Sequence, residues 1–317
     1  METVSMRERL TRENLHGVWA AVTTPFDADD RFDPGVLREN IRRLAAAGVH
    51  GAYVTDSDGE FYAIELDEYR EIVDVFADEA QRQGLPTQVG VTWSHTRGIV
   101  DRLRHAAERG ILGAHVGHPT YMEMTADSLR RFWEDVSAAV PERFGLIQYQ
   151  SPRLPNPLSP ADYVRLASEI PNLIGSKHTG RVFTDFLNVV QTSPQLAHFT
   201  LDDVLTPVTM FGARGDYSWF VNFSPQYLLE WYALCRERRW DEAARRQDRF
   251  HRFLRLKREV IGTQQLHGIA NKAVAAASDF LVPHPRTRRP YLPLPDETIR
   301  RFRERVEEEL PDLIWHP

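Results

Sequence analysis

The sequence predicts a closed parallel (β/α)8 (TIM) barrel followed by a C-terminal helical domain. Three observations carry this. Short β-rich runs alternate with amphipathic helical stretches eight times over about 210 residues, the rhythm of a (β/α)8 barrel. No Gly-x-Gly-x-x-Gly follows any strand, which argues against an open dinucleotide-binding sheet. From Pro225 onward helices follow one another with no strand between them.

The elements come in order. Val18 to Thr23 is the first strand, ended by Thr24-Pro25-Phe26. Asp33-Pro34 opens a helix, with Asp as N-cap and Pro at the first helical position. Val36, Leu37, Ile41 and Leu44 give that helix an apolar face, and Gly48 stops it. Gly51 to Thr55 is the second strand, and Leu66 to Ala77 its helix. Thr87 to Thr92, Gly113 to Gly117 and Phe144 to Tyr149 are the next strands; Thr96 to Arg109, Thr125 to Val140 and Pro160 to Ile170 are their helices. Leu173 to Lys177 is the sixth strand, followed by a helix over Phe183 to Thr192. His198 to Leu201 and Gly215 to Phe220 close the set, with Val204 to Phe211 between them. Gln226 to Arg238, Asp241 to Val260, Asn271 to Ala277 and Asp296 to Leu310 read as helices, with a proline-rich connection over Pro283 to Pro295. The expected division is an N-terminal extension over residues 1–15, a barrel over 16–223 and a helical domain over 224–317.

The bulk numbers exclude several classes. The chain of 317 residues is 42% hydrophobic and 26% charged, a soluble globular composition. A net charge of −6 without a long single-sign block argues against nucleic acid or a membrane surface as partner. Cys235 is the sole cysteine, so no intramolecular disulfide forms, which fits a reducing compartment. The first 14 residues alternate charges and lack an apolar core, unlike a signal peptide, and no run reaches membrane-spanning length. A cytoplasmic location is the expectation.

Chemistry in such barrels sits at the C-terminal ends of the strands. Lys177 ends the sixth strand within Gly175-Ser176-Lys177-His178. A lysine held at an apolar strand end loses solvation, which lowers its pKa and frees the amine for Schiff-base formation. The second strand runs into Asp56-Ser57-Asp58-Gly59-Glu60, the fourth into His118-Pro119-Thr120-Tyr121, the fifth into Tyr149-Gln150-Ser151-Pro152-Arg153. Lysine, tyrosine and serine side chains therefore converge on one mouth.

These motifs, in order and spacing from about residue 16 to 305, resemble those of the dihydrodipicolinate synthase / N-acetylneuraminate lyase family of class I aldolases. Thr24-Pro25-Phe26 matches its first strand end. Asp56-Ser57-Asp58-Gly59-Glu60 aligns with its Gly-Thr-Thr-Gly-Glu loop. Pro119-Thr120-Tyr121, Tyr149-Gln150-Ser151-Pro152, Gly175-Ser176-Lys177, Asp202-Asp203, Asn271-Lys272-Ala273 and Arg289-Pro290-Tyr291-Leu292-Pro293-Leu294 match its later motifs.

The resemblance implies catalytic roles for Lys177, Tyr149, Ser57 and Tyr121. Lys177 would form an imine with a 2-oxo acid of the pyruvate type, and Tyr149 would relay protons. Ser57 would join that relay with its hydroxyl, and Tyr121 would reach across a subunit interface. Gly59 would let the loop backbone approach the substrate. Asp58, Gly59, Gln150, Arg153, Tyr217 and Ser218 are the expected substrate-binding residues. The implied protein is a homo-oligomer, dimer or tetramer, acting on a small-molecule 2-oxo acid.

Four departures bear on the substrate. Asp58 replaces a family threonine and would repel a substrate carboxylate by a few kcal/mol at about 4 Å. It turns away, carries a proton, or marks a different substrate. The Gln150 to Pro155 loop lacks the arginine setting of the lysine-biosynthetic synthases, and Arg153 either binds an acidic substrate or sits at the surface. His178, next to the lysine, should point to the helix layer by strand alternation. Tyr217, Trp219 and Phe220 either line an aromatic acceptor pocket or pack on the helical domain.

His115 and His118 form a lone His-x-x-His pair, a weak metal signal. No metal, and no cofactor beyond the lysine, is expected. The leading reading is a Schiff-base lyase or aldolase whose aldehyde partner is bulky or aromatic. A dehydratase on the same imine and a non-catalytic ligand-binding barrel are the alternatives. A Lys177 pinned in an ion pair, or a mouth filled by Tyr217 or Trp219, would count against catalysis.

Overall fold

Apolar parallel strands need both faces covered, and here the sheet closes on itself inside a ring of helices. In the computed structural model, residues 9–180, 182–263 and 267–315 are described; most of the expected N-terminal extension, residues 1–8, lies outside them. Eight parallel strands close in sequence order. They are β1 (Gly17–Ala21), β2 (Gly51–Val54), β3 (Thr87–Gly90), β4 (Gly113–Val116), β5 (Gly145–Gln150), β6 (Leu173–His178), β7 (Ala197–Thr200) and β8 (Gly215–Ser218). The ring of helices is α1 (Pro34–Ala47), α2 (Leu66–Gln83), α3 (Thr96–Glu108), α4 (Ala126–Ala138), α5 (Pro160–Glu169), α6 (Phe183–Thr192), α7 (Leu205–Met210) and α8 (Pro225–Arg236). Three more helices follow: α9 (Trp240–Val260), α10 (His267–Ala276) and α11 (Asp296–Glu309).

The helix ends follow local chemistry. The Asp33 side chain accepts from the N–H groups of Gly35 and Val36, and Gly48 ends α1 at φ 83°. Ser159 and Asp162 form a capping box at the start of α5. Helix α2 runs beyond the expected Ala77 through a mostly polar stretch that apolar periodicity does not mark, and Gly84, at φ 67°, ends it. Helix α8, read from sequence as the start of a separate helical domain, packs on α7, α1 and β1 and so fills the eighth place in the ring.

Alternation along the strands sorts the polar residues. Trp19, Tyr53, His115, Phe199 and Tyr217 point into the barrel and pack as one aromatic layer. Ser176, His178 and His198 point outward; the Ser176 hydroxyl lies 2.7 Å from both imidazoles. The His178 ring packs on Phe186 and Tyr163, in the helix layer where alternation predicts it.

Candidate active site

Lys177 lies where β6 ends, directly above the aromatic layer. Its Nζ donates to Asp56 Oδ2 at 2.7 Å and to the Tyr53 hydroxyl at 3.1 Å. It sits 4.3 Å from the Tyr53 ring centre, 4.7 Å from that of Tyr149 and 5.6 Å from that of Tyr217. The residue is only 3% exposed.

A tight loop after β2 delivers Asp56. Thr55 takes φ 58°, a rare state for a β-branched residue, and its hydroxyl donates to Gly90 O at 3.0 Å. Gly90 admits this approach, since a Cβ there would lie 2.4 Å from Thr55 O. Gly59 closes the same loop: its own Cβ would stand 2.7 Å from Thr55 N. The glycine thus lets the loop close on itself. Glu60, at φ 57°, ion-pairs with the buried Lys272 and fixes the far end of the loop.

Three N–H groups converge on the Asp56 carboxylate: Lys177 Nζ, Ser57 N at 2.8 Å and His115 Nδ1 at 2.8 Å. His115 Nε2 lies 2.7 Å from Gln88 Oε1, while Gln88 Nε2 is buried without a partner. Turning that amide over gives both groups a partner: Gln88 donates to Nε2, and Nδ1–H donates to Asp56. Burial alone would raise the Asp56 carboxyl, but the Lys177 charge and the His115 contact hold it well below the usual carboxylate range. Burial likewise pushes the Lys177 ammonium down; the Asp56 charge outweighs it and leaves the pKa raised. The sequence expectation of a lowered lysine pKa is therefore corrected by its counter-ion. Burial pushes His115 down to about 4, so the imidazole is neutral near pH 7.

The sequence reading gives Asp56 no role and fixes on Asp58. The structure reverses their prominence. Asp58 Oδ1 accepts from Asn271 Nδ2 at 2.7 Å, and Asn271 Oδ1 accepts from Lys257 Nζ at 2.9 Å. Lys257 in turn lies 3.8 Å over the Trp219 ring, and burial pushes its ammonium down to about 8.

A cavity of about 410 Å³ opens above the site, lined by Ser57, Tyr149, Arg153 and an aromatic wall of Phe61, Tyr62, Trp93 and Tyr291. Trp93 is backed by the Arg102 guanidinium at 3.8 Å, and Tyr62 packs edge-on against Tyr291. The Ser57 and Tyr149 hydroxyls are 3.1 Å apart in its floor. Lys177 is not among the lining residues; it lies behind Tyr149. Arg153 is the one charged side chain of the described wall.

Several expected contacts are not made. Gln150 does not line the cavity; its Oε1 accepts from Leu158 N at 3.2 Å and holds the following loop. Tyr217 is fully buried in the aromatic layer, and Ser218 donates to Asp202 at 2.5 Å behind the barrel wall. Trp219 and Phe220 pack on Phe250 and Phe253 of α9, so packing, not an acceptor pocket, is their role. Tyr121 is 86% exposed and does not line this chain's own cavity. His115 and His118 part company: His118 lies against Asn156 O and Trp133 Nε1. The aromatic wall that does exist comes from Phe61, Tyr62, Trp93 and Tyr291, scattered over three loops; of these only Tyr291 falls in a motif the sequence singled out.

The profile of the dihydrodipicolinate synthetase family matches residues 14–309. The chain belongs to this family. An uncharacterized DapA-like lyase of Pyrococcus horikoshii is 24% identical over 92% of this chain and all of its own length. Another from Halobacterium salinarum is 30% identical over 74% of this chain and 76% of the relative. Among solved structures, YagE of Escherichia coli K12, a family member crystallised with pyruvate, superposes with a TM-score of 0.85. It is 23% identical and covers 93% of this chain and 98% of its own, a likeness of fold.

Proposed function

We propose that this chain is a Schiff-base-forming lyase that cleaves or forms a carbon–carbon bond next to a 2-oxo acid, with a bulky or aromatic aldehyde as partner. The observation that carries the reading is the alignment of Lys177, Tyr149 and Ser57 between the barrel interior and an aromatic-walled cavity. In this reading Arg153 holds a carboxylate, since Ser57 N–H is already engaged by Asp56. Lys177 attacks the keto carbon, the carbonyl oxygen leaves as water, and the protonated imine draws in the electrons of the C3–C4 bond. A hydroxyl on C4 gives up its proton to the Tyr149–Ser57 pair as the aldehyde departs. The pair passes that proton on to C3 of the resulting enamine, and hydrolysis returns pyruvate and Lys177. Trp93, Phe61, Tyr62 and Tyr291 receive the aldehyde's side group. The exposed Tyr121 and Met122 support a homo-oligomer, in which a neighbour covers them.

One observation favours a second reading, a non-catalytic ligand-binding barrel: Lys177 is ion-paired and lies behind the cavity floor. The test is pyruvate release from 4-aryl-4-hydroxy-2-oxo acids, followed with lactate dehydrogenase and NADH. Release that Lys177→Ala abolishes supports the lyase. A dehydratase consumes the same substrates to a dehydrated 2-oxo acid without releasing pyruvate. A binding barrel turns over none of them while the ligands still protect it from thermal unfolding.

A further inference from the structure

An ammonium has no lone pair, so Lys177 must lose a proton before it attacks any carbonyl. Its hydrogen-bond acceptors are Asp56 Oδ2 at 2.7 Å and the Tyr53 hydroxyl at 3.1 Å. The Tyr149 hydroxyl is engaged with Ser57, 3.1 Å away. Tyr53 cannot become a resting phenolate in its buried place between Asp56 and Asp58, and as a neutral phenol it offers only a weakly basic oxygen. That leaves one carboxylate, and it is elaborately held. Ser57 N–H and His115 Nδ1 fix its two oxygens, and Gln88 fixes the imidazole in turn. This loop position is a glycine in the Gly-Thr-Thr-Gly-Glu motif with which the loop aligns, so nothing in that motif supplies the group.

We propose that Asp56 is a catalytic residue of the imine-forming step: it takes the first proton from Lys177 and returns it to the departing hydroxyl. The proposal rests on the lyase reading of Lys177. The step balances as follows. Lys177 Nζ passes one proton to Asp56 Oδ2, and the freed lone pair forms the C–N bond as the C=O π bond breaks. The alkoxide takes up a second proton, the one leaving Nζ, relayed through the hydroxyl pair of Tyr149 and Ser57. Asp56 then protonates the resulting hydroxyl, the C–O bond breaks, and water departs. The nitrogen lone pair forms the C=N bond, leaving an iminium with one N–H. Charge is conserved: an ammonium facing a carboxylate becomes an iminium facing the same carboxylate. His115 is a positioning residue, acting through Asp56.

The groups facing Nζ are Asp56, Tyr53, Tyr149 and Tyr217, with Asp58 contributing charge from the same loop. Removal of the Asp56 carboxylate has opposite consequences under two accounts. If Asp56 only locks the lysine, its loss frees the amine and speeds imine formation. If it is the proton carrier and counter-ion, its loss strands the carbinolamine and leaves the iminium without a partner.

The test is the rate of borohydride-trapped adduct on the full-length protein, with pyruvate and a panel of bulkier 2-oxo acids, for wild type, Asp56→Asn and His115→Gln. Asp56→Asn is expected to trap about 100-fold more slowly at pH 7, the usual weight of one acid–base group. His115→Gln is expected to keep the adduct while the acid limb of its rate–pH profile moves upward, because Asp56 loses a donor to its charged form. Trapping by Asp56→Asn at the wild-type rate or faster overturns the proposal and leaves the lyase reading standing. If Asp56→Asn does not fold, an unmoved acid limb in His115→Gln overturns it instead. No adduct on wild type with any carbonyl overturns the lyase reading itself, and this proposal with it.

Discussion

Replacing Lys177 with methionine should destabilise the protein substantially, because it removes a charge from a buried pair while leaving the other. The Asp56 carboxylate is 1% exposed and accepts from Lys177, His115 and Ser57 N–H. Methionine keeps most of the side-chain volume, so no large cavity term is added. Breaking a buried pair costs about 3–5 kcal/mol, and the two remaining donors place this case at the low end, about 3 kcal/mol. At about 2 °C per kcal/mol for a chain of this size, the melting temperature at pH 7 should fall by roughly 6 °C. The double variant Lys177→Met with Asp56→Asn removes both charges and should recover much of that loss. The sign with pH follows from the shifts. Asp56 is held below its unfolded value, so its contribution is present above about pH 3.8 and fades as pH falls further. The difference between wild type and Lys177→Met should therefore persist at pH 4 and shrink only as pH falls below about 3.8. Scanning calorimetry across pH reads all of this. A single variant as stable as wild type at pH 7, or a double variant less stable than the single, would refute the reasoning.

Two further expectations follow from other parts of the molecule. Asp202 and Asp216 are buried together behind β8, with Asp202 raised to about 6 by burial and Asp216 raised well above the ordinary value by burial and the Asp202 charge. Folded carboxyls with raised pKa values bind protons that the unfolded chain has released, so stability falls as pH rises from about 4 through 6 and beyond. Asp216→Asn should then raise the melting temperature at pH 8 more than at pH 4.5; equal shifts at both would contradict it. Arg153→Ala should raise KM for a 2-oxo acid by about tenfold or more with little change in kcat, the loss of one charge-assisted hydrogen bond. An unchanged KM in steady-state assays would place the carboxylate elsewhere.

The fold was legible because its signals are local and repeated. Strand runs such as Leu173 to Lys177, and caps such as Asp33-Pro34 and Ser159-Pro160, depend on neighbours a few residues away. The geometry of the lysine was only partly legible. Its place at the strand end follows from the pattern, but its charge state depends on Asp56, which is 121 residues distant. Asp58 drew attention as a departure from a motif, yet Asn271, 213 residues on, takes it up. The aromatic residues at the end of β8 read equally well as pocket or packing, and only the position of α9 decides. The aromatic part of the pocket wall was not read as such, since Phe61, Trp93 and Tyr291 stand on separate loops. One signal was available: Tyr53, His115 and Tyr217 all fall on inward positions of their strands, a polar and aromatic layer unusual for a barrel interior filled mainly by aliphatic side chains.

The most direct test of the account is sodium borohydride trapping with pyruvate and a panel of bulkier 2-oxo acids, read by intact and peptide mass. The account predicts a single reduced adduct, heavier than the free peptide by the donor's mass less one oxygen, on the peptide that carries Lys177, absent from Lys177→Ala. A correctly folded wild-type protein that gives no adduct with any carbonyl of the panel, or one whose adduct maps to another lysine, would contradict it.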